Sequence, residues 1–487
     1  MDLAIALDNT LAVPLHRQLY DELRQAILFG RLESGQQMPS TRMLAQSLGI
    51  SRATVLLSYE QLLSEGYLKT VPASGTFVSH QLPDDLLHSG SIQPNEQAAR
   101  QPVQLSTYGA NLAETEPLIP LRSESPINFS CYGRPALDEF PLKLWRRLLS
   151  RACRLQPDML DYATNTQGYR PLREAIARYI TRSRAVRCDA DRIIIVNGSQ
   201  QALDLVARLL LDRGDLVAIE NPGYLDARRT FLAQAARLLP IPVDQSGIVV
   251  ERLAASTAAK LKLVYVTPSH QFPTGVVLSL PRRLALLAWA QQTGALIVED
   301  DYDSEYRYGE RPIPALQGLT ASDSVIYIGT FSKVIFPALR LGYLVLPQNL
   351  VSVFAGAKWL SDRQSSILEQ YALTEFINEG HLESHVRRMR MLYDQRRQTL
   401  VQALTRYLGS VTILGENAGM HLMVKFHTNL SDEQVVLQAA QVGVGLISAG
   451  PYYLGPSGKG EFILGYADLS QEKIQEGVRR LAQFLLK

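Results

Sequence analysis

Lys333 stands in the run Ile328-Gly329-Thr330-Phe331-Ser332-Lys333-Val334-Ile335-Phe336-Pro337-Ala338-Leu339-Arg340, with hydroxyls at Thr330 and Ser332 ahead of it and Arg340 seven residues behind. Upstream, Val298-Glu299-Asp300-Asp301-Tyr302 ends an apolar stretch in carboxylates and a phenol. A lysine can form a Schiff base with an aldehyde, an acid can hold a protonated ring nitrogen, and hydroxyls beside an arginine can clamp an anion. Pyridoxal phosphate (PLP) needs those three parts together.

Such residues need a scaffold that brings distant segments to one place. From about residue 127 onward, short apolar or β-branched runs at 192–197, 216–220, 261–267, 295–300 and 324–329 alternate with helical stretches at 200–212, 224–236 and 281–293. That alternation predicts a largely parallel sheet covered by helices. Sites in such sheets gather at the carboxyl ends of the strands. Asn197-Gly198-Ser199, Asp300 and Thr330 all fall at strand ends, so they are expected to converge. Residues 355–405 read as continuously helical, and 410–487 as a smaller C-terminal subdomain of short strands and helices.

A second machine precedes this one. Over residues 13–79, Leu15, Leu19, Leu23, Ala26 and Ile27 recur at helical spacing until Gly30 stops them. Pro39-Ser40 opens a short helix from Thr41 to Leu48, with Leu44, Ala45 and Leu48 inward, and Gly49 suits a left-handed cap. Ser51 suits the cap of a third helix running to about Ser64, which buries Val55, Tyr59 and Leu62. Residues 67–69 and 76–78 alternate around Pro72-Ala73-Ser74-Gly75, the pattern of a β-hairpin. Three helices and a hairpin make a winged helix-turn-helix. Between the two machines, residues 81–125 carry five prolines and little periodicity, which reads as a mostly flexible linker.

Composition bounds the rest. A chain of 487 residues, 46% hydrophobic and 20% charged, is an ordinary globular protein of about two to four domains. The longest apolar stretch, near 325–346, contains Lys333 and Arg340, which excludes a membrane helix there. The N-terminus Met1-Asp2-Leu3-Ala4 lacks the basic region and cleavage site of a signal peptide. Cys131, Cys153 and Cys188 are too few for a disulfide framework. A cytoplasmic location is expected.

The N-terminal unit resembles a GntR-type winged helix. The resemblance is carried by Pro14-Leu15, Gly30-Arg31-Leu32, Gly35, Pro39-Ser40-Thr41-Arg42, the run from Leu48 to Val55, Tyr59, Leu62, Gly66-Tyr67 and Gly75-Thr76-Phe77-Val78. It implies that the helix starting at Arg52 enters the major groove of operator DNA and that the Gly75-Thr76 turn reaches a minor groove. Arg42, Ser51, Arg52 and Thr54 match DNA-contacting positions, and the first three suit phosphate and base-edge contacts on chemical grounds. Residues 1–80 hold six Lys/Arg against seven Asp/Glu, a net of −1. So weak a basic footprint implies poor non-specific binding and a reliance on dimerisation and base contacts.

Residues 127–487 resemble a fold-type-I PLP aminotransferase, and the whole chain resembles the MocR branch of the GntR regulators. The motifs are Asn128-Phe129, Phe140-Pro141, Trp145, Gly168 through Arg173, Gly198 through Asp204, Asn221-Pro222-Gly223-Tyr224, Thr267 through Gly275, Glu299 through Glu305 and the lysine segment. The domains implied are 10–80 for DNA binding, 81–125 as linker and 126–487 for PLP and effector, the last an α/β domain with a mostly parallel sheet, helices on both faces and a small C-terminal α/β subdomain. By this resemblance Lys333 would carry the cofactor and Asp300 would pair with its pyridine nitrogen. Tyr302 would donate to its phenolate oxygen, and Tyr224 would stack on its ring. Ser199 and Gln200, opening a helix whose amides suit a phosphate, join Thr330, Ser332 and Arg340 in the anion site. By the resemblance Tyr162 would reach the phosphate of a neighbouring subunit, which implies a homodimer, and Arg228 matches an effector-binding arginine.

Two positions depart from the aminotransferase pattern. Phe272 stands where an asparagine usually bonds the cofactor phenolate, with His270 or Gln271 as possible substitutes, and Ile463 stands where an arginine usually grips a substrate carboxylate. His381 and His385 lie four apart on a helix, but without an acidic partner they read as a solvated face and no metal is expected. The resemblance thus implies a PLP-dependent transcriptional regulator that senses PLP, an amine or an amino acid. The alternative is a working aminotransferase with an N-terminal interaction module.

Overall fold

The computed structural model describes residues 5–8, 10–84, 103–114, 125–154, 157–162, 165–254, 261–309, 313–320 and 322–486. The chain divides into two compact units, Met1–Val103 and Gln104–Lys487.

In the first unit, helices Leu15–Leu28, Thr41–Leu48 and Arg52–Ser64 precede an antiparallel hairpin of Leu68–Val71 and Gly75–Val78. Ser40 Oγ and Ser51 Oγ cap the second and third helices by accepting from the amides of Met43 and Thr54, and Gly49 adopts the left-handed cap at φ 66°. The expected inward residues form the core: Leu19, Leu23, Ile27, Leu44, Val55, Tyr59 and Leu62, closed by Val78 of the hairpin. The fold is a winged helix-turn-helix.

The linker expectation meets a difference. Residues 85–102 and 115–124 lie outside the described residues, but between them Thr107–Ala113 is a helix capped by Ser106. It belongs to the larger unit, where Asn111 Nδ2 donates to Ala233 O at 3.2 Å. A seven-residue helix is too short to declare itself by periodicity and owes its place to that docking.

The larger unit is built on an eight-stranded sheet, in spatial order Ile193–Val196, Gly342–Val345, Val325–Thr330, Leu296–Asp301, Leu261–Val266, Leu216–Asn221, Arg237–Asp244 and Gly247–Ile248. The four central pairings from Val325–Thr330 to Arg237–Asp244 are parallel, whereas Gly342–Val345 runs antiparallel to both neighbours. Alternating side chains bury both faces. Ile194, Val196, Ile326 and Ile328 pack on one side with residues of helices Ser199–Leu210 and Leu225–Ala233. Ile193, Ile195, Tyr327 and Tyr343 pack on the other with those of Arg170–Arg184 and Ile367–Asn378. A four-stranded antiparallel sheet, Val411–Leu414, His421–Phe426, Glu461–Gly465 and Ile447–Ser448, forms the core of the C-terminal subdomain with helices His381–Leu408 and Gln471–Leu485.

Two sequence expectations need correction. The helical stretch at 355–405 is three helices, Val351–Asp362, Ile367–Asn378 and His381–Leu408. The first break turns on Arg363 at φ 65°, held by tertiary contacts such as Ser365 Oγ to Asn197 Oδ1 at 2.7 Å, and the second on Gly380 at φ 76°. His385 is buried rather than solvated: its Nε2 lies 3.1 Å from Val334 O, and burial pushes its pKa down to about 4.

Candidate functional site

One cavity of about 370 Å³ opens at the carboxyl ends of the parallel strands. Lys333 reaches it from the loop after Val325–Thr330, and Asp300 from the next strand, where Asp300 registers with Ile328. Tyr265, on the strand beyond, donates to Asp300 Oδ2 at 2.8 Å. Asp300 Oδ1 is buried and has no partner among the described residues. Burial raises the Asp300 carboxyl to about 7, Tyr265 and Lys333 opposing it. Burial likewise lowers the Lys333 ammonium, against the attraction of Asp303, Asp300 and Asp226, which favours the nucleophilic amine. Gly133 makes room for it: a Cβ there would sit 3.0 Å from Lys333 Nζ.

At Gly198 the lining gathers donors suited to an anion. Gly198 at φ 88° precedes the twelve-residue helix Ser199–Leu210, whose first amides point out of its N-terminus. Arg340, itself left-handed at φ 51°, donates from Nη2 to Asn197 O at 2.7 Å, and a Cβ at Gly198 would come within 2.9 Å of that nitrogen. Thr330 and Ser332 complete the cradle, the Ser332 amide donating to Thr330 Oγ1 at 3.2 Å.

Of the residues singled out in the sequence, Ser199, Gln200, Tyr224, Asp300, Tyr302, Thr330, Ser332, Lys333 and Arg340 all line this cavity. Tyr302 does so with its hydroxyl turned onto His270, 2.9 Å from the carbonyl oxygen and 3.0 Å from Nδ1, while Nδ1 also lies 3.0 Å from Asp303 Oδ2. Gln271 has its amide donating to Pro222 O at 2.8 Å and to Phe272 O at 2.6 Å, whereas His270 meets the hydroxyl of the cavity residue Tyr302. Arg228 does not line the cavity; its Nη1 donates to Tyr453 O at 3.3 Å. Tyr162 is 73% exposed, with the Arg363 guanidinium 6.0 Å from its ring centroid. Sequence reasoning missed Tyr132, Gly133, Asp226, Tyr265, Thr267 and His421. Asp226, two residues after the flagged Tyr224, was within reach of a closer reading; Tyr132 and His421 arrive from loops and strands with no local signal.

In the winged helix, Arg42, Ser51 and Arg52 are exposed at the starts of the second and third helices, and Gly75 is exposed at the hairpin turn with φ 119°. Ser51 and Thr54 are tied to each other, Oγ to Oγ1 at 2.8 Å, and Arg52 Nε donates to Thr41 Oγ1 at 3.3 Å.

The family profile for bacterial regulatory proteins of the gntR family matches residues 15–78, and that for aminotransferase class I and II matches residues 134–481. A protein of Rhizobium meliloti named probable rhizopine catabolism regulatory protein MocR is 39% identical over 99% of this chain and 96% of its own. The chain belongs to the MocR-type regulators of the GntR family. Another member, the pyridoxine biosynthesis transcriptional regulator PdxR of Corynebacterium glutamicum, is 31% identical over 97% of this chain and 96% of its own. Among solved structures, the kynurenine aminotransferase of Pyrococcus horikoshii in complex with PMP superposes with a TM-score of 0.70 at 29% identity, covering 82% of this chain and 98% of that one. The GntR domain implies DNA binding, and the aminotransferase domain implies PLP as cofactor. The residues present fit that group: the unpartnered Asp300 Oδ1 suits a protonated ring nitrogen, and the Gly198 cradle leaves a phosphate-sized anion its donors. No helix among the described residues is long and apolar enough to cross a membrane.

Proposed function

We propose that this MocR-type regulator holds PLP covalently on Lys333 and senses PLP or an amino compound there, changing its grip on operator DNA in the cytoplasm. The observation that carries the reading is the meeting of Lys333, the buried Asp300 and the Arg340 cradle in one cavity of a chain that also bears a winged helix. Bound PLP supplies an aldehyde for amines and a ring that withdraws electrons. Asp300 would keep the ring nitrogen protonated, with Tyr265 fixing the carboxylate's orientation from the adjacent strand. Ser199, Gln200, Thr330, Ser332 and Arg340 would hold the phosphate, and Tyr224 would cover the ring. Tyr162, exposed in the single chain, would complete the phosphate site of a second copy, making the working form a homodimer. DNA and effector then bias one conformational equilibrium and are linked reciprocally.

Arg42, Ser51, Arg52, Thr54, Gly75 and Thr76 would face the DNA. Arg52→Ala is expected to weaken binding to the preferred operator by about 1–3 kcal/mol while leaving the fold intact, because its side chain is exposed and its hydrogen bond to Thr41 Oγ1 is a long 3.3 Å. Anisotropy titrations on operator and scrambled duplexes check this, and a loss equal on both would mean that Arg52 reads only phosphate.

The whole reading is tested by selecting duplexes from a random pool with the PLP-loaded full-length protein, then measuring their affinity with and without amines. Expected are a preferred sequence and an affinity that moves with at least one amine. Steady product formation from an amino donor and a keto acid, with no preferred duplex, would instead establish the aminotransferase reading.

A further inference from the structure

Beyond Lys333 the cavity wall is phenolic and acidic. Asp226, in the first turn of helix Leu225–Ala233, lines it and accepts at Oδ2 from Tyr224 Oη at 3.1 Å. Its Oδ1 is ion-paired at 3.6 Å with Arg229 Nη1, but Arg229 does not line the cavity. Tyr132, also on the wall, shares a 2.5 Å hydrogen bond with Tyr452. His421 Nε2 lies 3.1 Å from Pro273 O, and burial pushes its pKa well below the ordinary histidine value.

Cations are placed elsewhere. Among the described lining residues the only two are Lys333 and Arg340, and Arg340 belongs to the anion cradle at Gly198. Ile463, at the position where a carboxylate clamp is expected, is fully buried against Phe272, Met423 and Tyr452. A ligand carboxylate on this wall would therefore lose water and meet Asp226, with no guanidinium beyond the anion-site Arg340 among the described lining residues to receive it, which is costly. An ammonium or hydroxyl would instead donate to a carboxylate already held in place, a charge-assisted bond.

Granting that the cavity is the effector site, we infer that its ligand is an amine whose far end is a hydrogen-bond donor, a second ammonium or a hydroxyl, and not a carboxylate, with Asp226 as the residue that selects it. Arg229 and Tyr224 act as positioning residues for the Asp226 carboxylate.

The test uses full-length protein loaded with PLP and three probes of matched length: 1,4-diaminobutane, 4-amino-1-butanol and 4-aminobutyrate. Apparent affinities are read from the visible absorption of the bound cofactor and, independently, from the thermal midpoint. The diamine or the amino alcohol is expected to bind on the order of ten- to a hundred-fold more tightly than the amino acid, and the winner of the two tells which donor the site takes. Asp226→Asn is expected to erase the diamine's advantage, and Asp226→Glu to keep most of it. Equal or tighter binding of 4-aminobutyrate, or an unchanged preference in D226N, overturns the inference while leaving the effector site standing. If none of the probes nor any common amino acid moves either readout, the effector-site reading falls and the inference falls with it.

Discussion

Lys333→Ala is expected to abolish the visible absorption of bound PLP and to leave no borohydride-fixed label on the segment 330–340, both of which the wild-type chain should show. The expectation follows from position as much as from residue type. Lys333 sits deep in the cavity, desolvation lowers its ammonium, and the nearest carboxylates only partly oppose that shift. An amine so placed is present in its reactive neutral form at lower pH than a surface lysine would be. Among the described residues no second lysine lines the cavity to take its place. The anion cradle and Asp300 remain in the variant, so weak retention of PLP by dialysis is compatible with the reading, whereas a retained covalent label is not. The operator response to amines should vanish in the same variant. If the variant still labels and still responds, attachment is not at Lys333 and the cavity assignment fails.

Legibility in the sequence followed the range of the interactions involved. The winged helix could be read almost element by element because its signals are local: Ser40 and Ser51 cap within three residues, and Gly49 must take a left-handed φ. The parallel strands were equally plain, since each is a short, doubly buried run. Two strands were not. Arg237–Asp244 contains Pro240 and Pro242, which deny it the look of a strand, and they are tolerated because beyond it the sheet has only the two-residue Gly247–Ile248. Gly342–Val345 reverses direction inside an otherwise parallel array, a matter of topology that its four residues do not announce.

The site shows the same division. Lys333, Asp300 and Ser199 lie at strand or helix ends and could be named from pattern and resemblance together. Tyr265 could not, because it is an ordinary strand residue until the neighbouring strand places Asp300 2.8 Å from its hydroxyl. Arg228 was named from the resemblance; it is not among the residues lining the cavity, whereas Asp226, two residues earlier on the same helix, is.

Asp301→Ala is expected to destabilise the larger unit by about 3–5 kcal/mol, a large part of the roughly 5–15 kcal/mol that holds a domain together. Asp301 and Arg184 are both buried, joined at 2.8 Å from Nε to Oδ2. Tyr327 donates to the same oxygen at 2.6 Å, and Arg184 Nη1 is satisfied by Ile313 O at 2.6 Å. Removing the carboxylate would strand a buried guanidinium, which is why the loss exceeds that of a surface pair. The pH dependence has a definite sign. Burial acts to raise the Asp301 carboxyl, but Arg184 and Tyr327 outweigh it and leave it below its ordinary value. Its contribution is therefore fully present above the unfolded value near ~3.9 and is lost as pH falls through the lower folded one. The three tryptophans, Trp145, Trp289 and Trp359, all lie in the larger unit, so urea unfolding followed by their fluorescence reports on it alone. A midpoint unmoved in Asp301→Ala would refute the assignment. Asp301 adjoins Asp300 on the same strand end, so if Asp300 is the acid that faces the cofactor, the fall in stability is expected to come with a fall in PLP affinity at low urea.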